Sequence, residues 1–284
     1  QVKIIECPRD AMQGLRSHFI STEAKARSIN ALLKVGFDTI DFGSFVSPKA
    51  IPQMKDTAAV LDQLDLSSSD SKLLAIVANV RGAEDAVNFE EIAYLGYHFS
   101  ISENFQKRNT GKTIEESLQT LEQIIAIAEK KNKEVVAYLS MGFGNPYGDP
   151  WNADIVAQWT KTLAGLGVTI LSLSDTVGLA DGEIISYLFS NLIPMYPKIE
   201  FGAHLHTHPA RWHEKIDAAF LAGCKRFDGA IKGYGGCPMA KDELTGNMPT
   251  EKLLSYFTSK KVVTGIHPLR FESAYNEALK IFSL

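Results

Sequence analysis

The chain has 284 residues, of which 45% are hydrophobic and 22% charged, so it is long and apolar enough to bury a large core. The net charge of −4 gives no basic footprint for nucleic acid. No apolar run approaches the roughly 20 residues that a membrane-spanning helix needs. The cysteines Cys7, Cys224 and Cys237 are too few for a disulfide scaffold, and a reducing cytoplasm is the simplest compartment.

Short runs rich in β-branched and aromatic residues alternate with longer helical patterns along the chain. The runs predict strands at 2–7, 39–43, 73–78, 98–102, 135–141, 170–174, 199–206 and 227–231. Helical patterns with capping residues at their starts or glycines at their ends lie between them, at 21–37, 113–132, 151–168 and 210–224. Further helices are predicted at 250–257 and 268–282.

This alternation predicts a parallel sheet, and eight strands close naturally into a (β/α)₈ TIM barrel. We therefore expect one catalytic domain over residues 1–284, with extra C-terminal helices. The rival fold is a doubly wound open sheet. That fold calls for a glycine-rich phosphate turn after the first strand, where this chain has the turn Pro-Arg-Asp-Ala-Met-Gln.

Polar residues follow most of the predicted strands at their C-terminal ends, where barrel enzymes carry their catalytic side chains. In chain order they are Arg9 and Asp10, Asp41, Glu103, Asp175, His204 and His206, and finally Cys237 and Asn247. The fold would bring these ends together at one mouth.

The sequence His204-Leu-His206 places two imidazoles on the same face of a strand, aimed at this mouth. The plainer alternative is two polar residues satisfied by water or by a neighbouring carboxylate. Asp10 beside the same axis favours a metal site, and an amide oxygen from Asn247 would complete a set of two oxygens and two nitrogens. Such a set suits Mg²⁺ or Mn²⁺ better than structural zinc. His208 shares the strand parity, and Pro209 keeps it extended, so it is expected to lean towards the site.

Cys237 lies in a glycine-rich loop near the proposed metal, where cations lower the pKa of a thiol. Cys7, inside a strand, and Cys224, at a helix end, are interpreted as structural. Arg9 at the mouth is well placed to hold a carbonyl or a developing enolate oxygen.

Read in order, these residues resemble the 3-hydroxy-3-methylglutaryl-CoA lyase family over nearly the whole chain. The resemblance is carried by "VKIIECPRDAMQ", "SFVSPKAIPQMKD", "SLSDTVGLA", "HLH", "GGCP" and "GN". It implies a TIM barrel whose metal ligands are Asp10, His204, His206 and Asn247. It also implies that Arg9 stabilises the substrate carbonyl or enolate and that Cys237 is an acid/base on a mobile loop. Asp41 and Asp175 stand at acidic positions of the family.

The reaction implied by the resemblance is retro-Claisen cleavage of an acyl-CoA substrate to acetyl-CoA and acetoacetate. It requires a divalent ion, Mg²⁺ or Mn²⁺, and the resemblance also suggests a homodimer. No nucleic acid or membrane partner is expected.

Several positions depart from the family pattern. Ala11 replaces a glycine and cannot easily take positive φ, so a different loop path is expected. Asp41 is shorter than the family's glutamate, and Lys215 stands near a family asparagine. "THPARW" replaces Asp-Thr-Tyr-Gly. Two alternatives therefore stay open: a lyase or aldolase acting on another 3-hydroxyacyl substrate, and a metal-binding barrel without turnover.

Overall fold

The computed structural model describes residues 1–238 and 244–283. In this part of the chain eight parallel strands close into a barrel, each paired with its neighbour in chain order. They are β1 Lys3–Glu6, β2 Thr39–Ser44, β3 Lys72–Ile76, β4 Ile92–Ser100, β5 Glu134–Ser140, β6 Ile170–Ser174, β7 Glu200–His204 and β9 Arg226–Gly229. Strand β9 pairs with β1 and closes the ring, so the TIM barrel is confirmed and the open sheet is excluded. At its mouth, β8 (His206–Thr207) pairs antiparallel with β10 (Gly246–Asn247).

The helices surround the barrel, and several of them begin at a capping side chain. They are α1 Pro8–Gln13, α2 Thr22–Leu32, α3 Thr57–Asp62, α4 Val80–Ala86, α5 Glu103–Thr110, α6 Ile114–Glu129, α7 Ala153–Gly165, α8 Gly182–Met195, α9 Trp212–Leu221, α10 Thr250–Ser259 and α11 Pro268–Phe282. The Ser21 side chain caps α2, and Thr113 forms a reciprocal capping box with Glu116 in α6. None of the helices in the described ranges is long and apolar enough to cross a membrane.

Two predictions of local structure were wrong. The segment after β1 is not an open turn but the short helix α1, which begins with Pro8 at a position that needs no amide hydrogen. Ala11 lies inside this helix and needs no positive φ. Strand β4 begins at Ile92 rather than at residue 98. Gly96 lies within this strand, at a position where a Cβ would meet Ile76 Cδ1 at 2.5 Å.

Strand alternation separates an inner layer of side chains from an outer one. The inner layer fills the barrel with a packed apolar cluster, made of Leu74, Ile76, Tyr94, Val136, Tyr138 and Ile170. The outer layer packs against the helices in the main core. Because these side chains fill the interior of the described barrel, the barrel itself leaves room for a ligand at the mouth, where the C-terminal strand ends meet.

Candidate active site

The proposed histidine ligands lie on two strands, not on one. The predicted strand 199–206 ends at His204, whose carbonyl accepts the Asp175 amide at 3.0 Å. After His204 the chain no longer pairs with β6. It continues as β8, where His206 lies opposite Asn247 of β10. The amide of Met248, directly after β10, donates to the Leu205 carbonyl at 3.1 Å. Both rings still meet at the mouth, with their centroids 5.3 Å apart.

Ligand atoms of Asp10, His204 and His206 lie within 4.8 Å of one another. His204 Nδ1 hydrogen-bonds Asp228 Oδ2 at 2.8 Å, so the plainer interpretation of a satisfied histidine holds for that nitrogen. His206 Nδ1 lies 2.8 Å from the Thr176 carbonyl oxygen, which can only accept, so this nitrogen carries the proton. A lone pair therefore remains on His206 Nε2.

His206 Nε2 is buried and has no hydrogen-bond partner among the described residues. Such an atom is costly to leave unpaired in a protein interior. A cation placed between this nitrogen, His204 and the Asp10 carboxylate would satisfy it. The donor set present therefore fits a divalent metal ion.

Asn247 is locked beside Asp10. Its Nδ2 donates to Asp10 Oδ2 at 2.7 Å and to the Tyr234 carbonyl at 2.8 Å, which leaves the amide oxygen as its only available ligand atom. Gly235, at φ +89°, permits this approach because a Cβ there would lie 2.6 Å from the Asp10 carbonyl oxygen. Burial alone would raise the pKa of Asp10, but the charge of Arg9 and its other neighbours hold that pKa at about 2. Asp10 is therefore an anion.

Arg9 is held rigidly at the mouth. Its Nη2 and Nε donate to Asp41 at 2.7 and 3.1 Å, and its Nη1 donates to Gln13 Oε1 at 2.8 Å. Burial would lower the pKa of Arg9, but Asp41 and Asp10 raise it above its usual value, so the guanidinium stays charged. Burial raises the pKa of Asp41 despite Arg9. Although shorter than glutamate, Asp41 reaches Arg9.

Asp175 lies behind the mouth, outside the described lining of the cavity. Its Oδ2 accepts from Lys215 Nζ at 2.8 Å, and both side chains are 1% exposed. Lys215 also donates to the His206 carbonyl at 2.8 Å. Glu103 is turned away too, because its Oε2 accepts the Ile114 amide at 3.1 Å. The structure therefore gives Asp175 a supporting contact to the metal cluster, not a place in the cavity.

The mouth holds a cavity of about 380 Å³. Its lining brings together Arg9, Asp10, His204, His206 and the half-buried Cys237 with apolar side chains from the neighbouring loops. Residues 239–243, in the loop after Cys237, lie outside the described residues. His208 does not line the cavity; its Nδ1 accepts the Ala210 amide at 3.2 Å. Its expected lean towards the site is not observed.

Two residues at the site were not recognised from the sequence. Asp228 orients His204, and its signal was a carboxylate within the apolar strand run 227–231. His98 lines the cavity from β4. A second cluster joins Cys7, His204 and Asp228 in the buried interior. Burial raises the pKa of the Cys7 thiol well above its usual value, and the thiol is 1% exposed, which agrees with a structural role.

Fold and site together define a TIM-barrel enzyme with a candidate metal site at its mouth. A model of the HMGL-like family matches residues 1–276, and the chain belongs to this family of lyases. It is 33% identical over 276 residues to the cytoplasmic 3-hydroxy-3-methylglutaryl-CoA lyase of Danio rerio, covering 96% of this chain and 81% of the relative.

Two solved structures of bacterial lyases are similar over almost the whole chain. The Bacillus subtilis HMG-CoA lyase superposes with a TM-score of 0.90 at 31% identity, covering 97% of this chain and 92% of that one. An HMG-CoA lyase from Acinetobacter baumannii, solved with coenzyme A and 3-methylmalate, gives a TM-score of 0.90 at 26% identity. That match covers 99% of this chain and 91% of that one.

Proposed function

We propose that the protein is a divalent-metal-dependent carbon–carbon lyase that cleaves 3-hydroxy-3-methylglutaryl-CoA to acetyl-CoA and acetoacetate. Its family membership and the names of its relatives support the substrate. A related lyase binds coenzyme A, which supports an acyl-CoA. The observation that carries the proposal is the unpartnered Nε2 of His206, buried beside Asp10 and His204 at the cavity wall.

Asp10, His204, His206 and the amide oxygen of Asn247 would hold the ion. Mixed oxygen and nitrogen donors favour Mg²⁺ or Mn²⁺. When bound, the ion supplies Lewis acidity, which makes a substrate hydroxyl more acidic and offsets negative charge on a thioester enolate. His204 and His206 each offer Nε2, because their Nδ1 atoms are engaged by Asp228 and Thr176.

Arg9 and Cys237 at the mouth supply the charge stabilisation and the proton transfer that the cleavage needs. The hydroxyl proton of the substrate leaves as the bond between C2 and C3 breaks, giving a ketone and a thioester enolate. Arg9, fixed by Asp41 and Gln13, presents a permanent positive charge to the enolate oxygen without having to reorganise. Cys237 lines the same cavity and acts first as base and then as acid: its thiolate takes the hydroxyl proton as the C2–C3 bond breaks, and the resulting thiol gives that proton to C2 of the enolate. The thiolate is thereby restored.

The decisive assay is acetoacetate release from the CoA ester with added Mg²⁺ or Mn²⁺. We expect acetoacetate and acetyl-CoA in equal amounts, with activity lost on chelation. Cys237→Ser should lose most of the rate, roughly 10²-fold or more as for a missing general acid, while still binding metal. His206→Ala is the matched control and should lose both the activity and the bound metal.

No release from a metal-loaded protein would refute the proposal. Cleavage of a different 3-hydroxyacyl ester would then identify an altered substrate, and inactivity on all of them would identify a binding barrel. The homodimer and the cytoplasmic location stay predictions; light scattering tests the first.

A further inference from the structure

The segment that leads into Cys237 is packed backbone to backbone against the proposed metal ligands. A Cβ at Gly233 would lie 2.8 Å from the Asn247 carbonyl oxygen, and one at Gly235 would lie 2.6 Å from the Asp10 carbonyl oxygen. Such close approach leaves room for glycine only. The segment therefore lies directly against two of the ligands, but its glycines contribute no side chain that anchors it there.

Tyr234, which stands between these two glycines, supplies the anchor. Its carbonyl accepts Asn247 Nδ2 at 2.8 Å, and its ring stacks on that of Phe282, with centroids 4.0 Å apart and planes at 25°. Phe282 is the last residue of α11. An aromatic pair fixes two elements in a defined geometry, because the rings attract each other beyond the area that they bury. Through this stack the C-terminal helix holds the residue that holds Asn247.

The end of α11 also packs behind the helix that carries Asp10. Phe282 packs against a buried apolar cluster that includes Ile281 of α11 and Met12 of α1, two residues beyond Asp10. One cavity of about 20 Å³ is lined by residues of all three segments, among them Met12, Tyr234, Ile281 and Phe282. A space of this size holds no more than about one water molecule, so the three segments meet in close contact.

We propose that Tyr234 and Phe282 are positioning residues, whose stack holds Asn247 and the Cys237 sulfur in the arrangement around Asp10 that the reaction needs. This inference rests on the proposed function, since it concerns the geometry of the same site. Both rings stand outside the lining of the cavity, so they do not touch a substrate there. Their effect passes through the backbone of residues 234–237 and through the bond between the Tyr234 carbonyl and Asn247.

Phe282→Leu tests the stack, because it removes the ring and keeps an apolar side chain. The Kd for Mn²⁺, measured by electron paramagnetic resonance, should rise about 2- to 10-fold, the factor that an aromatic pair is worth. The kcat for the CoA ester should fall by a similar factor, with KM less affected. Alkylation of Cys237 by iodoacetamide should become faster, and this readout needs neither metal nor turnover. Cys237 is half-buried whereas Cys7 and Cys224 are buried, so it is the thiol expected to react first.

Two further variants separate positioning from a general loss of stability. Tyr234→Leu should reproduce the effects of Phe282→Leu, and the double variant should bind Mn²⁺ no more weakly than either single one, since all three lack the same contact. Phe282→Tyr keeps the stacked pair and should return the Mn²⁺ affinity and the alkylation rate to wild-type values. Additive losses in the double variant would show that the two rings do not act through each other.

Phe271→Leu is the matched control, because Phe271 lies in the first turns of the same helix and packs edge-on against Phe37, with centroids 6.4 Å apart. It should lower the Tm about as much as Phe282→Leu while Mn²⁺ affinity and the alkylation rate stay at wild-type values. Equal changes in the two variants, or none in Phe282→Leu, would overturn the inference. A wild type that cleaves nothing refutes the proposed function, and the alkylation comparison then still decides this one.

Discussion

At the scale of single residues, the two metal-facing histidines are oriented by different acceptors. His204 is bonded to the Asp228 carboxylate and His206 to the Thr176 carbonyl, and both bonds direct Nε2 towards the mouth. Burial would lower the pKa of His204, but Asp228 outweighs it and raises that pKa. Burial and the nearby His204 lower the pKa of His206. The carboxylate therefore makes His204 the more basic of the two imidazoles.

Asp228→Asn should lower Mn²⁺ affinity about 10- to 100-fold, as the loss of an outer carboxylate typically does. The amide can still accept from the ring, so geometry is largely kept while the charge is removed. Titration followed by electron paramagnetic resonance measures the change. Asp217→Asn, at an aspartate of α9 whose side chain accepts from Tyr256, serves as control and should bind the ion normally. Equal Mn²⁺ affinities in the two variants would contradict the proposed support of His204 by Asp228.

At the scale of elements, Lys215 joins α9 to the two strands that support His206. Its ammonium contacts Asp175 at the end of β6 and the His206 carbonyl on β8, both at 2.8 Å. Helix α9 begins at the tryptophan of "THPARW". Through the buried ion pair of Lys215 and Asp175 it anchors the two-stranded pair of β8 and β10. This anchor explains how β8 is held after the barrel strand has ended at His204.

Lys215→Met should destabilise the fold by about 3–5 kcal/mol, because Asp175 would be left as an uncompensated buried charge. Adding Asp175→Asn should restore part of that loss, since the stranded charge is then gone. Urea unfolding measures both. The exposed pair of Arg211 and Glu214 is the control, and Arg211→Met should cost less than about 1 kcal/mol. A double variant no more stable than the single one would show that the pair does not act through charge.

Sequence patterns predicted the barrel and the meeting of polar strand ends at its mouth, because both follow from strand parity and strand ends. Asp10, His204, His206 and Asn247 were predicted as metal ligands from these patterns and from the family resemblance; the structure brings them together, and their binding of a metal stays a prediction. The alternation of side chains along a strand does not show where the strand stops pairing with one neighbour and begins to pair with another. The end of β7 before Leu205 was therefore missed. Alternation also gives no side-chain partner, so the turning of Asp175 towards Lys215 and the support of His204 by Asp228 could not be predicted.

At the scale of the whole molecule, Glu6 joins the first strand to the last elements of the barrel. Its carboxyl accepts the Ile231 amide at 2.9 Å and the Thr250 hydroxyl at 2.5 Å, at the start of α10. The side chain is 2% exposed. Burial raises its pKa to about 8, against 4.5 for an ordinary glutamate, even though Thr250 opposes the shift. The folded state therefore favours the protonated acid.

Stability from Glu6 should be greatest below about pH 4.5 and should be lost as the pH rises through about 8, because the unfolded chain releases this proton first. Glu6→Gln mimics the protonated acid. The variant should therefore become more stable relative to the wild type as the pH rises from 5 to 9. The difference between their free energies of unfolding should grow by up to on the order of 5 kcal/mol. Urea unfolding at pH 5, 7 and 9 measures the difference. A constant difference between variant and wild type across these pH values would refute the raised pKa of Glu6.

The contact of Asn247 with Asp10 spans 237 positions along the chain. Strand β9 must pair with β1, and β10 must then reach β8, before the ligands can meet. Loop closure over such distances comes late in folding. A metal ion bound by these residues would therefore have no assembled site in a half-folded chain and would not act as a nucleus. Its stabilisation would belong to the finished barrel, where it would lengthen the lifetime of the native state without hastening its formation.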